Sequence, residues 1–168
     1  SVFRREISRL ADAVVAEYGA AARSGGKAEL NRLGLANARF GRYREAEQAF
    51  SRAVQLDPEY TVARINLGNV AYLQKDFRRA IGAYEAAGRV LDRQGRGDSG
   101  AAQKVLLNIS ASHHAMNNRD EARSYFARAA TINPEQVRDF AYLGQGAEQA
   151  AGRASEQRTG VLFAEEGD

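Results

Sequence analysis

The sequence predicts an all-α fold, a solenoid in which antiparallel helix pairs repeat along the chain. The first observation behind this prediction is an internal period of 34 residues. The second is the arrangement inside each period, with small residues where two helices would cross and chain breakers where the chain must turn. The third is composition, because the chain contains only two prolines and much alanine, which favours helix.

The internal period appears in three copies. They cover residues 27–60, 61–94 and 103–136. Between the first two copies Gly34 aligns with Gly68, and Phe50 aligns with Tyr84. Eight extra residues separate the second copy from the third, around positions 93–100. Because stacked units of one period bury a continuous core, three copies are enough for a stable repeat domain.

Each copy is expected to fold as two helices. The predicted pairs are 28–40 with 43–56, 61–74 with 77–91, and 103–116 with 119–132. Gly34 and Ala46 let the helices of the first pair approach closely, while Phe50 and Leu56 are expected to fill the seam toward the next pair. Asp57-Pro58 ends the second helix with a strong breaker.

The ends of the chain are less regular, although the whole of 1–168 is predicted to be a single domain. Residues 1–23 are expected to form an amphipathic helix that caps the first repeat. Its apolar positions are spaced three or four apart: Phe3, Ile7, Leu10, Val14 and Tyr18. Residues 137–168 are expected to hold a partial fourth repeat, or a capping helix and tail, because 153–165 lacks the repeat's alanine and aromatic columns.

Composition excludes several classes of protein. The net charge is +3, and the arginines are spread among acidic residues instead of forming a stripe, so we expect no nucleic-acid partner. There is no cysteine, and no apolar run reaches the roughly 18 residues of a membrane span. A soluble protein, cytoplasmic or periplasmic, is expected. Arginine-rich and alanine-rich usage suggests a bacterial source, and a start at Ser1 suggests a processed chain or a piece of a longer one.

The repeat also carries a family resemblance. Each copy places a pair such as Leu33-Gly34 early in its first helix, then alanine, an aromatic residue and alanine along its second helix, with Pro58 and Pro134 closing two copies. In this pattern the chain resembles tetratricopeptide repeat (TPR) proteins over residues 27–136. Four positions depart from the family pattern: Arg64, Asp92, Ser110 and Arg119.

The resemblance implies a function. In TPR proteins the first helix of each pair lines a concave groove that holds a segment of a partner protein. Transferring those columns gives the predicted partner-binding residues Asn31, Leu35, Arg39, Ile65, Asn66, Asn69, Tyr72, Lys104, Leu107, Asn108 and His114. Because most of the groove columns are apolar, a protein or peptide with apolar anchors is the expected partner, and Tyr72 is the best anchor candidate. No cofactor is implied.

One TPR subfamily grips acidic chaperone tails through five polar residues. Asn66 and Lys104 match that clamp, whereas Asn31, Leu35 and Asn108 stand where it has lysine, asparagine and arginine. Two matches of five argue against chaperone-tail binding, since capture of two carboxylates needs several charged donors together.

No catalytic or metal site is expected. His113 and His114 are neighbours, and neighbouring helix positions point about 100° apart, so the two do not readily share one metal ion. No nucleophile, base and orienting group can be nominated together. Three alternatives stay open: a self-association unit whose terminal helix or tail occupies another molecule's groove, a non-catalytic segment of a larger enzyme, and groove columns that serve only as core.

Overall fold

The computed structural model describes residues 2–145 and 160–168, and within these ranges the protein is entirely helical apart from turns and extended chain. The helices are α1 (Val2–Ser24), α2 (Lys27–Arg39), α3 (Tyr43–Leu56), α4 (Thr61–Leu73), α5 (Phe77–Arg93), α6 (Gly100–Ala115), α7 (Arg119–Ile132) and the 3₁₀ helix Arg138–Gly144. No strand occurs in these ranges. The predicted all-α repeat fold is confirmed.

The helices pack in the order of the chain. Helix α2 packs on α3, α4 on α5, and α6 on α7, as the three copies of the sequence predict. Each pair also packs on the next, and the first helices α2, α4 and α6 lie side by side. Helix α1 packs on α2. The result is a stack of helix pairs in which the first helices share one surface.

The eight-residue insertion lengthens two helices instead of forming one long loop. Helix α5 continues to Arg93 and α6 already begins at Gly100. The hydroxyl of Ser99 accepts a hydrogen bond of 3.2 Å from the Ala102 amide. Ser99 therefore acts as the N-cap that starts α6 ahead of the predicted residue 103.

The glycines of the repeat mark close contacts between helices. A methyl group at Gly34 would lie 2.3 Å from the Phe50 ring, and one at Gly68 would lie 2.4 Å from the Tyr84 ring. The third copy replaces this glycine with Ser110, whose hydroxyl donates a 2.6 Å hydrogen bond to the Ala122 carbonyl. Ser110 is fully buried, so the substitution keeps its polar group satisfied within the pair.

The turn within each pair repeats the same backbone conformation. Gly41, Lys75 and Asn117 have φ values of 72°, 62° and 64°. In each turn the next amide bonds back to a helix carbonyl at 2.9 Å, for example from Asp76 to Ala71. This left-handed residue is the usual end of a helix and satisfies its last carbonyls. Because this residue recurs in all three pairs, the repeat extends to the backbone conformation of the turns as well as to the sequence.

Two sequence expectations about packing are wrong. Leu56 does not fill a seam, because its side chain is 58% exposed. It lies beside the buried stripe of α3, and Tyr60 from the following turn is buried in the core instead. In α1, Phe3 is 73% exposed and Leu10 is 58% exposed. The buried positions of α1 are alanines, Ala11 and Ala22, since small side chains allow close approach to a neighbouring helix.

The C-terminal part divides into two described pieces. The 3₁₀ helix Arg138–Gly144 packs against α6 and α7 and buries Phe140, Tyr142 and Leu143. Residues 160–168 contain no helix. The capping helix considered for 153–165 is therefore absent from residues 160–165, and its remainder lies outside the described residues. None of the described helices combines the length and apolar character needed to cross a membrane.

Candidate functional site

The shared surface of α2, α4 and α6 is occupied by the chain itself. Residues Gly160–Asp168, called the C-terminal segment below, lie across these helices. Leu162 contacts α6, Ala164 contacts α4, and Glu165 lines a cavity beside α2. The segment therefore crosses the groove from the C-terminal repeat toward the N-terminal repeat.

Two asparagines hold the main chain of this segment in the same way. The Asn108 amide donates to the Leu162 carbonyl at 2.9 Å, and the Asn108 side-chain oxygen accepts from the Leu162 amide at 2.8 Å. Asn66 makes the same reciprocal pair with Ala164, with both distances 2.8 Å. A side-chain amide has one acceptor and two donors, so it can pair with a peptide as a neighbouring strand would. The two-residue spacing is that of extended chain.

A buried network of amides fixes the orientation of these asparagines. The Asn66 amide donates to Asn31 at 2.9 Å, and the Asn108 amide donates to Asn69 at 3.0 Å. The Tyr84 hydroxyl also donates to Asn69, at 2.6 Å. All four asparagines are at most 1% exposed. Because buried polar groups are costly unless they are paired, the network orients the groove's donors and acceptors toward the segment.

Asn69 connects this network to the segment and to the core. Its amide donates to the Leu162 carbonyl at 3.0 Å, which gives that carbonyl a second donor beside Asn108. Burial raises the pKa of the Tyr84 hydroxyl well above its ordinary value, so it remains a donor to Asn69 at neutral pH. The aromatic column of the second repeat therefore supports the groove as well as the core.

The end of the segment is held by charged groups. Lys104 donates to the Asp168 carboxylate at 2.5 Å and to the Phe163 carbonyl at 3.2 Å. Arg96 donates to the main-chain oxygen of Asp168, and the Tyr60 hydroxyl donates to the Glu166 carboxylate. Hydrogen bonds to ionised groups are the stronger kind. The acidic residues therefore fix the end of the segment.

Apolar side chains of the segment complete the contact. Val161 packs against both hydrophobic clusters of the protein, and Leu162 packs against the cluster that contains Leu107. Phe163 borders a cavity of about 270 Å³ together with Leu35. Ala164 is fully buried. Side-chain burial therefore adds to main-chain hydrogen bonding along the groove.

The segment enters the groove beside two tyrosines. Burial, together with the nearby Tyr72, raises the pKa of Tyr142 to about 12, and a backbone hydrogen bond from Gly160 opposes that shift. Tyr72 is half-buried, and burial raises its pKa. The Tyr72 ring packs edge-on against Phe77, with ring centroids 5.2 Å apart.

The predicted partner-binding residues fall into groups. Asn66, Asn69, Lys104 and Asn108 hydrogen-bond the segment, while Asn31, Leu35 and Arg39 line cavities beside it. Ile65 and Leu107 are buried in the core, 0% and 3% exposed. The structure shows no hydrogen bond from Tyr72 or His114 to the described part of the segment.

The two histidines lie in different surroundings. The His113 ring stacks on Tyr125 at 5.6 Å, whereas the His114 ring meets Tyr142 edge-on at 5.2 Å. His114 also lies 2.5 Å from a guanidinium nitrogen of Arg119. Burial, and then the Arg119 charge, lowers the pKa of His114. His114 is thus held neutral as part of the packing at the end of the solenoid.

Sequence reasoning missed Tyr60 and Arg96, and it considered a tail in the groove only as an exchange between two molecules. Tyr60 and Arg96 lie in turns after second helices, outside the first-helix columns. The segment carries a signal in its composition, because four apolar residues precede the acidic Glu165-Glu166 pair. That pattern is compatible with an extended peptide that is apolar at one end and charged at the other, but it does not predict where in the fold the segment binds.

Comparison with known proteins agrees with the architecture. Models of the tetratricopeptide repeat match residues 37–93 and residues 103–136, which together make up more than half of the chain. The chain belongs to the TPR family. No curated protein sequence is significantly similar to it.

Solved structures of TPR proteins have the same fold. A crystal structure of MamA is 24% identical over 67% of this chain and 57% of that chain, with a TM-score of 0.56. The first TPR domain of Spaghetti (RPAP3), bound to the HSP90 peptide SRMEEVD, is 19% identical over 74% of this chain and 91% of that chain, with a TM-score of 0.58. The N-terminal domain of stress-induced protein-1 from C. elegans is 20% identical over 80% and 97%, with a TM-score of 0.59. This chain spans little more than half of that MamA chain.

Proposed function

We propose that this protein is a non-catalytic scaffold that binds an extended segment of a partner protein in its concave groove. The observation that carries the proposal is the reciprocal pairing of Asn66 and Asn108 with the main chain of Ala164 and Leu162. Because these two asparagines bind only main-chain groups, they can hold peptides with many different side chains. The groove therefore has the chemistry to hold a peptide other than its own C-terminal segment.

Selectivity would come from the two kinds of side chain along the segment. Residues 161–164 are apolar and pack on the groove floor, while the Glu166 and Asp168 carboxylates meet Tyr60 and Lys104. The corresponding partner is a segment with apolar residues followed by acidic ones. The peptide bound to the RPAP3 domain ends in Glu-Glu-Val-Asp, and this chain reads Glu-Glu-Gly-Asp at 165–168. That similarity supports an acidic end in the partner.

The chain's own segment would compete with such a partner. Because it belongs to the same chain, it rebinds without losing the translational freedom that a separate peptide gives up. A partner has to displace it, through higher affinity or a higher local concentration. Without a partner the groove would thus be occupied by the chain's own segment, and a partner of sufficient affinity would displace that segment.

The test uses the chain of residues 1–168 with its segment released from the groove. In the released variant, Leu162→Pro and Ala164→Pro are combined, which removes both main-chain donors that Asn108 and Asn66 accept. A fluorescent peptide with the sequence of residues 160–168 is titrated against both proteins. We expect the released variant to bind it and the wild type to bind it at least about tenfold more weakly. No binding by the released variant would refute the proposal.

A second titration tests whether recognition runs through the main chain. N-methylation of the peptide at the position of Leu162 or Ala164 removes a donor that an asparagine accepts. The matched control is N-methylation at Phe163, whose amide hydrogen makes no bond with the described residues. We expect the first two peptides to lose affinity and the control to retain most of it. Equal affinity for all three would contradict main-chain recognition.

A second function is favoured by the same observation. If the segment of one molecule occupies the groove of another, the protein assembles with itself through exchanged segments. Light scattering across a range of protein concentrations distinguishes the two. A monomer at every concentration supports binding within one chain, while a dimer that the released variant loses supports exchange.

A further inference from the structure

One side-chain donor in the groove has no partner. Asn31 is 1% exposed, and its oxygen accepts a hydrogen bond from Asn66 at 2.9 Å. Its amide nitrogen is buried and makes no hydrogen bond with the residues that the structure describes. A buried donor without an acceptor costs free energy, so its presence in an otherwise satisfied network calls for an explanation.

An open cavity lies beside this asparagine. It has a volume of about 350 Å³ and is bounded by Tyr18 of α1, by Asn31, Arg32 and Arg39 of α2, and by Glu165 of the segment. Arg39 is exposed and forms no ion pair with the described residues, whereas Arg32 forms an ion pair with Glu29 of the same helix at 3.9 Å. The cavity therefore offers the Arg39 guanidinium and one unused amide donor at the N-terminal end of the groove, with Glu165 and Glu166 of the segment beside them.

The C-terminal segment borders this cavity with Glu165 and Glu166 but leaves the Asn31 amide without an acceptor. Leu162 is bound by α6, and Ala164, two residues later, is bound by α4. In a segment that stayed extended, the residue two positions after Ala164 would approach α2, the helix that carries Asn31. Instead the chain turns back. The Asp168 amide donates to the Glu165 carbonyl at 3.0 Å, and Gly167 takes a φ of 109°. That conformation is open to glycine and rare for other residues.

We propose that this end of the groove is a further peptide subsite. In it, Asn31 donates to a carbonyl or carboxylate oxygen of a partner that stays extended past the position of Ala164. Arg39 favours an acidic side chain there, because its exposed guanidinium borders the cavity and forms no ion pair with the described residues. The inference rests on the proposed function and adds that the natural partner reaches one helix further than the chain's own segment.

The experiment compares two peptides on the released variant. One has the sequence of residues 160–168, and the other carries Gly167→Val, because a β-branched residue disfavours the positive φ of the turn and keeps the peptide extended. Both are then titrated against the released variant with Asn31→Asp added. This change keeps the oxygen that Asn66 needs and removes the unused donor.

We expect Asn31→Asp to weaken the Gly167→Val peptide by about tenfold more than it weakens the unmodified peptide. The added charge at position 31 also repels an acidic side chain in the subsite, so both titrations are repeated with peptides that carry Glu165→Gln and Glu166→Gln. A selective loss that persists in these peptides reports on the amide donor, and a loss that disappears with the glutamates contradicts it. Retained binding of the unmodified peptide also shows that the variant is folded.

Arg39→Gln provides a second variant, at an exposed position where the fold is not at risk. It should weaken the Gly167→Val peptide selectively as well. Equal effects of each substitution on both peptides would overturn the subsite while leaving the proposed function intact. Failure of both peptides to bind the released variant would instead overturn the proposed function.

Discussion

Replacing Asn108 by alanine tests how much the main-chain pairing contributes. The change removes the two hydrogen bonds to Leu162, at 2.8 and 2.9 Å, and the 3.0 Å bond to Asn69. Losing the bond to the Leu162 carbonyl costs about 1 kcal/mol, because Asn69 still donates to that carbonyl, and leaving the Leu162 amide without a partner costs about 1 to 3 kcal/mol. We therefore expect peptide binding to weaken by about 2 to 4 kcal/mol, which is roughly 30-fold to 1000-fold in Kd.

The assay is a titration of the labelled 160–168 peptide against the released variant with and without Asn108→Ala. Asn37→Ala is the matched control, since Asn37 is equally buried and its amide bonds only to the Leu33 carbonyl of its own helix. Far-ultraviolet circular dichroism checks that both variants keep their helices. Equal losses in Asn108→Ala and Asn37→Ala, or no loss in either, would refute the argument that asparagine pairing holds the peptide.

Further predictions concern packing and pH. Gly68→Ala should lower the free energy of unfolding by about 1 to 3 kcal/mol, because its methyl group would press on the Tyr84 ring. A methyl group at Gly82 would meet nothing within 4 Å, so Gly82→Ala should raise the free energy of unfolding by about 0.5 to 1 kcal/mol. Chemical denaturation measures both free energies, and equal changes in the two variants would contradict the contact between Gly68 and the Tyr84 ring. Ala80→Leu should also cost about 1 to 3 kcal/mol, since Ala80 is fully buried, and an unchanged melting temperature would contradict this. His114 has a folded pKa below its unfolded value of 6.5, so its contribution to stability is lost as pH falls through 6.5 toward the folded value. His114→Gln should flatten this part of the curve of melting temperature against pH, and identical curves for the two proteins would be inconsistent with a buried neutral His114.

The fold could be predicted from the sequence because three copies of the repeat carry the same pattern of residues. Gly34 and Gly68 are required by the aromatic rings that pack on them, so the same columns recur at the same spacing. The start of α6 could not be predicted from the repeat, since Ser99 lies in the insertion, which has no counterpart in the other copies. Leu56 was misplaced for a related reason: the period identifies a column but does not show which side chain is buried there, and Tyr60 of the following turn is buried while Leu56 is exposed.

The sequence predicted which helices line the groove, but it did not predict that the C-terminal segment of the same chain lies in it. Family columns pointed to Asn66, Asn69 and Asn108, yet an asparagine in a sequence does not reveal whether it pairs with a peptide, a neighbour or solvent. The amide network depends on three helices meeting side by side. The docking of Leu162 on Asn108, 54 positions earlier in the chain, depends on the complete solenoid. No local pattern encodes such a contact.

Amide hydrogen exchange of the wild-type chain of residues 1–168, followed by NMR, tests the central claim most directly. If the C-terminal segment lies in the groove as described, Leu162 and Ala164 exchange slowly because Asn108 and Asn66 accept their amide hydrogens. Phe163, between them, exchanges quickly. We predict this alternation in the wild type and its disappearance in Asn108→Ala at Leu162. Fast exchange at all three positions in the wild type would contradict the account.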